Sequence, residues 1–141
     1  MFDIMILSHG TLSKALLDTA QLIAGEQKNI ITFGFNLGDD IETFQEKVIS
    51  TIEKELNESD LLVFTDLQSG SPFNVAVGAS TKYKFRHFTG INLPILLQAI
   101  CDRNCMSLDE TCMDIENNAK NSIIDVDKIL NTVEGADDED E

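Results

Sequence analysis

The sequence is short of basic residues. It has 10 Lys and Arg against 25 Asp and Glu in 141 residues, a formal net charge of −15. Nucleic acids and anionic membranes are bound through basic faces, so the charge argues against both classes of partner. Six of the acids lie in the last eight residues, and removing them from −15 still leaves −9. We therefore expect a single domain over 1–133, followed by a solvated, disordered acidic tail over 134–141.

Long apolar runs are also missing. No run approaches the roughly 18 residues of a membrane-spanning helix. The first residues, Met1 to Ile4, lack the basic segment and the apolar segment of a secretion signal. The length suits one domain, because domains have roughly 100–200 residues. The sequence therefore predicts one globular domain in the cytoplasm.

Cysteines are few and crowded together. All three lie between Cys101 and Cys112, with the spacing C-x3-C-x6-C and no histidine nearby. This spacing is not a zinc pattern. Cys101 falls on the apolar face of a helical pattern with Leu97 and Ile100, so we expect reduced structural thiols. We expect no metal and no other cofactor.

The residues that are present alternate between short apolar runs and helical periods. This alternation, repeated four times, predicts a doubly wound α/β fold with a mostly parallel sheet. Several strand orders are possible, and the flavodoxin-like order 2-1-3-4 is the simplest for this length. A weakly alternating, charged segment at 123–127 is a candidate antiparallel edge strand. The expected strands are 2–7, 29–35, 61–64 and 85–89, and the expected helices are 11–24 and those opened near residues 39, 71, 92 and 107.

Residues at three of the helix starts match known capping patterns. Asp39 with Glu42, and Ser107 with Glu110, have the spacing of a capping box. Ser71 followed by proline resembles an N-cap before a proline in the first turn. Of these, the helix that Ser71 opens follows strand 3, so its free N–H groups are expected to face the carboxyl edge of the sheet.

Polar residues follow the two strands that flank the expected switch point. In such sheets the site lies at the carboxyl ends of the strands, where the strand order reverses, here between strands 1 and 3. Strand 1 ends at His9 and strand 3 ends at Asp66, so both side chains are expected in one crevice. Ser71 begins a helix at this edge, and the expected rim residues are Gly10, Phe35, Gly70 and Thr89.

An imidazole beside a carboxylate has a definite chemistry. The carboxylate accepts a hydrogen bond from the protonated ring nitrogen and fixes the tautomer, which leaves the other nitrogen as a nucleophile. Phosphoryl transfer suits such a group, because it needs mainly positioning and charge stabilisation. No Lys or Arg lies in 8–13 or 65–74, so helix N-termini would have to supply the donors for a phosphate. The second histidine, His87, is interpreted as structural.

Four stretches at these positions carry a family resemblance. They are ILSHGTL (6–12), GFNLGDD (34–40), TDLQSGSPFN (65–74) and TGINLPILL (89–97). Together they resemble the IIA component of the mannose/fructose/sorbose-type sugar phosphotransferase system. One departure is Ser69, which stands where the family commonly has the first glycine of a pair; a positive φ there would strain a serine.

The resemblance implies a function for the crevice. The histidine at position 9 would take phosphate from phospho-HPr and pass it to a IIB component, and the membrane subunits would take part only indirectly. Asp66 would hold the imidazole ring, and Ser71 would lie near the phosphate. The family also implies a homodimer that exchanges the edge strand, for which 123–127 is the candidate.

Other functions remain open from the sequence. A phosphohistidine-based regulatory module, or a dihydroxyacetone kinase phosphotransfer subunit, would share the chemistry at His9 and differ in the acceptor. A flavin or nucleotide binder is disfavoured because the chain has no Trp and one Tyr. A receiver domain would need an acidic pair after strand 1, where Ser8 and His9 stand.

Overall fold

A computed structural model describes the backbone of residues 1–139 and the side chains of residues 1–132. Strands and helices alternate through the first four units, and two further helices follow. The elements are β1 (Asp3–His9), α1 (Leu12–Ala24), β2 (Ile30–Phe35), α2 (Ile41–Leu56), β3 (Leu61–Thr65), α3 (Ser71–Ser80), β4 (Arg86–Thr89), α4 (Leu93–Asp102), α5 (Leu108–Asn118), a 3₁₀ turn (Ala119–Asn121) and α6 (Val126–Glu139).

The four strands form one parallel sheet in the order β2-β1-β3-β4, as the sequence predicts. The strand order reverses between β1 and β3, so the carboxyl ends of these two central strands flank the switch point. In the register, His9 is paired with Phe35 on β2 and Leu7 with Thr65 on β3. Asp66 directly follows Thr65, and it therefore emerges beside the end of β1.

Two apolar layers hold the sheet between the helices. Alternate residues of β1 face opposite sides, so Ile4 and Ile6 pack in one layer and Met5 and Leu7 in the other. All four are fully buried, which explains why the strand is an almost continuous apolar run. Residues of α4 and α5 contribute to the first layer, and residues of α2 and α3 contribute to the second. The two strand ends at the site thus stand on a rigid base.

The predicted edge strand at 123–127 is wrong for this structure. Residues 122–125 have no regular structure and α6 begins at Val126. The side chain of Asp125 accepts a hydrogen bond from the Lys128 N–H at 3.2 Å, which is an N-cap contact. The same aspartate that suggested an exposed strand edge therefore opens a helix.

Helix α6 extends into the segment 134–141, which the sequence analysis assigns to an acidic tail. Residues 140 and 141 lie outside the described residues. The division between a domain at 1–133 and a tail stays a prediction. Within the described part of the chain, none of the helices combines the length and apolar character that crossing a membrane would need.

The starts of α1 to α5 were predicted to within one residue. The capping box of Ser107 and Glu110 is confirmed. At α2 the cap is Asp40, whose carboxylate accepts from the Thr43 N–H at 3.0 Å, and not the predicted Asp39. Asp39 instead accepts from the Asn36 N–H at 2.7 Å. Two adjacent aspartates can both satisfy the pattern, and only the path of the loop decides between them.

Two further expectations about single residues are corrected. Gly70 is the N-cap of α3 and Ser71 is the first helical residue, so Ser71 is not the cap. Cys101 is exposed, because it lies in the last turn of α4 on the side away from the core. Cys112 is buried, and all three cysteines are free thiols.

Candidate functional site

The structure brings His9 and Asp66 together at the switch point. The ring Nδ1 of His9 lies 2.9 Å from Oδ2 of Asp66. The same oxygen accepts a hydrogen bond from the backbone N–H of His9 at 2.9 Å. The side chain of His9 is 45% exposed, whereas that of Asp66 is 7% exposed. A buried carboxylate therefore holds an imidazole whose outer edge faces solvent.

The charge of Asp66 is maintained by these contacts. Burial by itself raises the pKa of Asp66, but the hydrogen bonds from the His9 backbone and ring, with the charge on His9, lower it below its ordinary value. The other carboxylate oxygen accepts from the Leu67 N–H at 3.1 Å. Asp66 is thus an ionised acceptor near neutral pH, and it fixes the proton of a neutral His9 ring on Nδ1.

The free ring nitrogen, Nε2, lies against Gly70. A Cβ built on Gly70 would stand 2.5 Å from Nε2 and 2.7 Å from Cε1 of His9, and its φ of +88° favours glycine. Ser69 does not have a positive φ, because Asn29 is the one non-glycine residue with such a φ among residues 1–139. The expected strain at Ser69 is therefore absent, and the positive φ falls on Gly70.

The first turn of α3 begins beside that nitrogen. The first N–H groups of a helix have no partner within the helix, and Pro72 has no N–H, so the donors of this turn are Ser71 and Phe73. The first backbone bond of the helix is Asn74 N–H to Gly70 C=O at 3.0 Å. Free amides and the positive end of a helix dipole are the groups that bind anions in other proteins, and the cap of this helix, Gly70, lies against the His9 ring.

The start of α1 is less available than the sequence analysis expects. The hydroxyl oxygen of Ser8 accepts a hydrogen bond from the Ser13 N–H at 2.8 Å. The Ser13 hydroxyl in turn donates to the Phe33 carbonyl at 3.1 Å. Both serines are fully buried. They fix the turn after His9 onto β2, and they use one of the amides of α1 that would otherwise be free.

The predicted rim residues have different positions. The Gly10 N–H donates to the Phe35 carbonyl at 2.8 Å, which places the backbone of both residues beside His9. The ring of Phe35, however, packs on Phe44 of α2, with 5.1 Å between the ring centres. Thr89 ends β4, one strand beyond Asp66. The backbone of Phe35 therefore belongs to the crevice, whereas its side chain belongs to the core.

A polar cluster lies beneath the start of α3. The hydroxyl of Thr65 donates to that of Thr89 at 2.8 Å and lies 2.8 Å from Nε2 of His87. The ring of His87 also packs on Phe73, with 5.6 Å between the ring centres, and its burial lowers its pKa. The sequence analysis did not find the role of Thr65 in this cluster, because a lone threonine at a strand end carries no pattern.

The arrangement favours nucleophilic chemistry on an anionic group. It combines an oriented imidazole, a buried carboxylate and a helix N-terminus, with no Lys or Arg in the segments 8–13 and 65–74. A phosphorylated ring would meet backbone amides in place of basic side chains.

Comparison with known proteins agrees with this chemistry. The family model described as "PTS system fructose IIA component" matches residues 3–116. The fructose-specific EIIA component of Bacillus subtilis (strain 168) is 31% identical over 121 residues, which is 85% of this chain and 80% of that protein. The sorbose-specific EIIA component of Klebsiella pneumoniae is 29% identical over 120 residues, 82% of this chain and 85% of that protein.

Solved structures have the same fold. The PTS IIA protein associated with the fucose utilization operon of Streptococcus pneumoniae has a TM-score of 0.80 at 29% identity, covering 92% of this chain and 97% of that one. EIIA from Streptococcus agalactiae has a TM-score of 0.79 at 28% identity, covering 91% and 99%. A sigma-54 interaction domain protein from Enterococcus faecalis, at 20% identity and a TM-score of 0.71 over 85% of this chain and 91% of that one, shares the fold. The chain belongs to the mannose/fructose/sorbose family of IIA components of the sugar phosphotransferase system.

Proposed function

We propose that this IIA component carries a phosphoryl group on Nε2 of His9. The proposal rests on one observation above all: Nδ1 of His9 is engaged by Asp66 at 2.9 Å, so that Nε2 is the ring nitrogen left for chemistry. That nitrogen lies next to Gly70 at the start of α3. The exposed edge of the ring allows a partner protein to approach it.

The donor in this proposal is phospho-HPr. The lone pair of Nε2 attacks the phosphorus of the phosphohistidine of HPr and forms the new N–P bond. The old N–P bond breaks, and its electron pair stays on the histidine of HPr. The proton on Nδ1 of His9 remains hydrogen-bonded to Asp66, which stabilises the positive charge that the ring gains.

The acceptor in this proposal is a IIB component. A nucleophile of IIB attacks the phosphorus and forms the new bond. The N–P bond to His9 breaks, and its electron pair returns to Nε2. The amides of Ser71 and Phe73 hold the phosphate oxygens in both transfers. Because the chain has a net charge of −15, we expect both partners to present basic side chains around the phosphate.

The remaining partners follow from the same proposal. The membrane subunits receive the phosphoryl group through IIB, and the relay places this chain in the cytoplasm. We propose a homodimer, supported by the exposed apolar residues of the C-terminal segment. These are Ile123, Ile124, Val126, Ile129 and Leu130. Light scattering on the purified chain would give about twice the monomer mass for a dimer.

The test is phosphorylation with purified partners. The chain is incubated with phosphoenolpyruvate, enzyme I and HPr, and the modified residue is located by mass spectrometry. We expect one phosphate per chain, on His9, lost in acid and stable in base. His9→Ala removes the acceptor, whereas His87→Gln is the matched control that keeps it.

Two results would contradict the proposal. Phosphate on His9→Ala, or phosphate found on another residue of the wild-type chain, would remove His9 from the mechanism. If the chain is phosphorylated on His9 but transfers the phosphate to no IIB component, phospho-HPr remains the donor and IIB is excluded as the acceptor.

A further inference from the structure

A buried carboxyl group lies far from His9, at the end of α4. Asp102 is 8% exposed, and its Oδ2 atom is fully buried without a hydrogen-bond partner among the described residues. The next residue, Arg103, does not neutralise it, since its guanidinium donates to the Lys28 carbonyl at 2.7 Å and to Gln27 at 3.0 Å. Buried carboxyl oxygens normally have a partner, so this atom needs an explanation.

A second carboxyl group faces Asp102 from α5. This is Asp114. Among the titratable groups on the helices packed against α4, it is the one whose contact raises the pKa of Asp102. Asp114 accepts from the Asn118 amide at 3.0 Å. The side-chain amide of Gln98, one turn earlier on α4, lowers the pKa of both carboxyl groups. Two carboxylates in contact repel each other, whereas a carboxylic acid donates a hydrogen bond to a carboxylate.

We propose that Asp102 and Asp114 share one proton in a carboxylic acid–carboxylate pair that fastens α5 to α4, and that the fastening weakens when this proton is lost. Asp102 is the member that carries the proton, because it is the more buried of the two. A proton on Asp102 also avoids the cost of burying an ionised carboxyl group whose Oδ2 atom has no partner.

The titration falls near neutral pH. Burial, followed by the contact with Asp114, raises the pKa of Asp102 to about 6, and the same contact lowers the pKa of Asp114. A carboxyl group with a raised pKa binds its proton more tightly in the folded chain. The stabilising contribution is therefore complete below the ordinary pKa of about 4, and it is lost as the pH rises from there through about 6.

The pair controls the attachment of the C-terminal part of the chain. Helix α5 leads into the 3₁₀ turn and α6, and this region is tied to the start of α4 by the Asn92 amide, which donates to the Ser122 hydroxyl at 2.8 Å. Weaker packing of α5 thus loosens the segment 119–139. The His9 site lies at the opposite edge of the sheet, so its chemistry provides an independent readout.

The experiment measures melting temperature against pH. Asp102→Asn keeps the shape and a donor but cannot ionise. We expect it to match the wild type near pH 4 and to melt higher by on the order of 5 °C at pH 8. Burial lowers the pKa of His87, so His87 gives stability the opposite pH dependence. Because both chains contain His87, its contribution cancels in the difference between their melting temperatures. Glu116→Gln, at an exposed site on α5, is the matched control and follows the wild type.

A direct titration covers the case in which the variant does not fold. The side-chain carboxyl carbon of Asp102 in the wild-type chain is followed by NMR from pH 3 to pH 8, and we expect a midpoint near 6. A midpoint near the ordinary value of about 4, or an Asp102→Asn variant with the pH dependence of the wild type, would overturn the proposal. Phosphorylation of His9 is expected to be unchanged in Asp102→Asn.

Discussion

Replacing Asp66 by Asn tests how the imidazole is oriented. In the wild type, one carboxylate oxygen accepts from both the backbone and the ring of His9, at 2.9 Å each. An asparagine can turn its NH₂ group toward Nδ1, which favours the other tautomer and puts the proton on Nε2. The nucleophilic lone pair would then be lost from the atom that faces the partner.

The size of the effect follows from the contact that is lost. A hydrogen bond to a charged group contributes about 1.5–3 kcal/mol, and each 1.4 kcal/mol in a barrier is a factor of about ten in rate. Because the side chain of Asp66 is 7% exposed, solvent replaces little of this contact. We therefore expect phosphoryl transfer from phospho-HPr to slow by about 10- to 100-fold.

The assay is rapid-quench transfer of labelled phosphate from phospho-HPr to the chain, with ring ¹⁵N shifts to report the tautomer of His9. Asp18→Asn is the matched control, since Asp18 is an exposed partner of Lys14 on α1. An Asp66→Asn chain that reacts at the wild-type rate, with its proton still on Nδ1, would refute the reasoning.

The pH dependence provides a second check on Asp66. Its lowered pKa means that its contribution to stability is complete above its ordinary pKa of about 4 and is lost as the pH falls through the folded-state value. The wild type is therefore expected to lose stability in acid more steeply than Asp66→Asn, as measured by urea denaturation between pH 2.5 and pH 6. If the wild type and Asp66→Asn lose the same stability as the pH falls, the Asp66 carboxylate is not stabilised in the folded chain.

Three further predictions concern other positions. Gly70→Ala places a Cβ 2.5 Å from Nε2 at a φ of +88°; we expect a loss of about 1–3 kcal/mol in urea denaturation and at least tenfold slower transfer, whereas Gly78→Ala, with open space around it, leaves transfer unchanged. Equal transfer rates in the two variants would show that the ring tolerates the added methyl group. Ser107→Ala removes one half of the capping box of α5 and is expected to lower the free energy of unfolding by about 1 kcal/mol, without changing transfer; an unchanged urea midpoint would assign no stability to the cap. Asp102→Asn is expected to raise the melting temperature at pH 8 and leave it unchanged near pH 4, and the opposite order would contradict a shared proton.

Much of the fold was accessible from local patterns. A nearly continuous apolar run from Phe2 to Leu7 is typical of a strand buried on both faces, and strand–helix alternation then leaves few topologies. The sequence could also place His9 and Asp66 at one edge, because the carboxyl ends of neighbouring parallel strands meet there. The prediction failed at 123–127, where weak alternation competed with an N-cap at Asp125.

The sequence by itself determined the alternation of strands and helices and placed His9 and Asp66 at strand ends, because apolar periodicity acts over short distances that a single sequence displays. It favoured the order 2-1-3-4 as the simplest of several, and the structure selected that order. Tertiary structure alone decided that Gly70 touches Nε2, that Ser8 occupies an amide of α1, and that Asp102 meets Asp114. Each of these contacts depends on where a backbone turn or a helix axis lies in space. Such positions are set by the packing of the whole core, and no local spacing of residues encodes them.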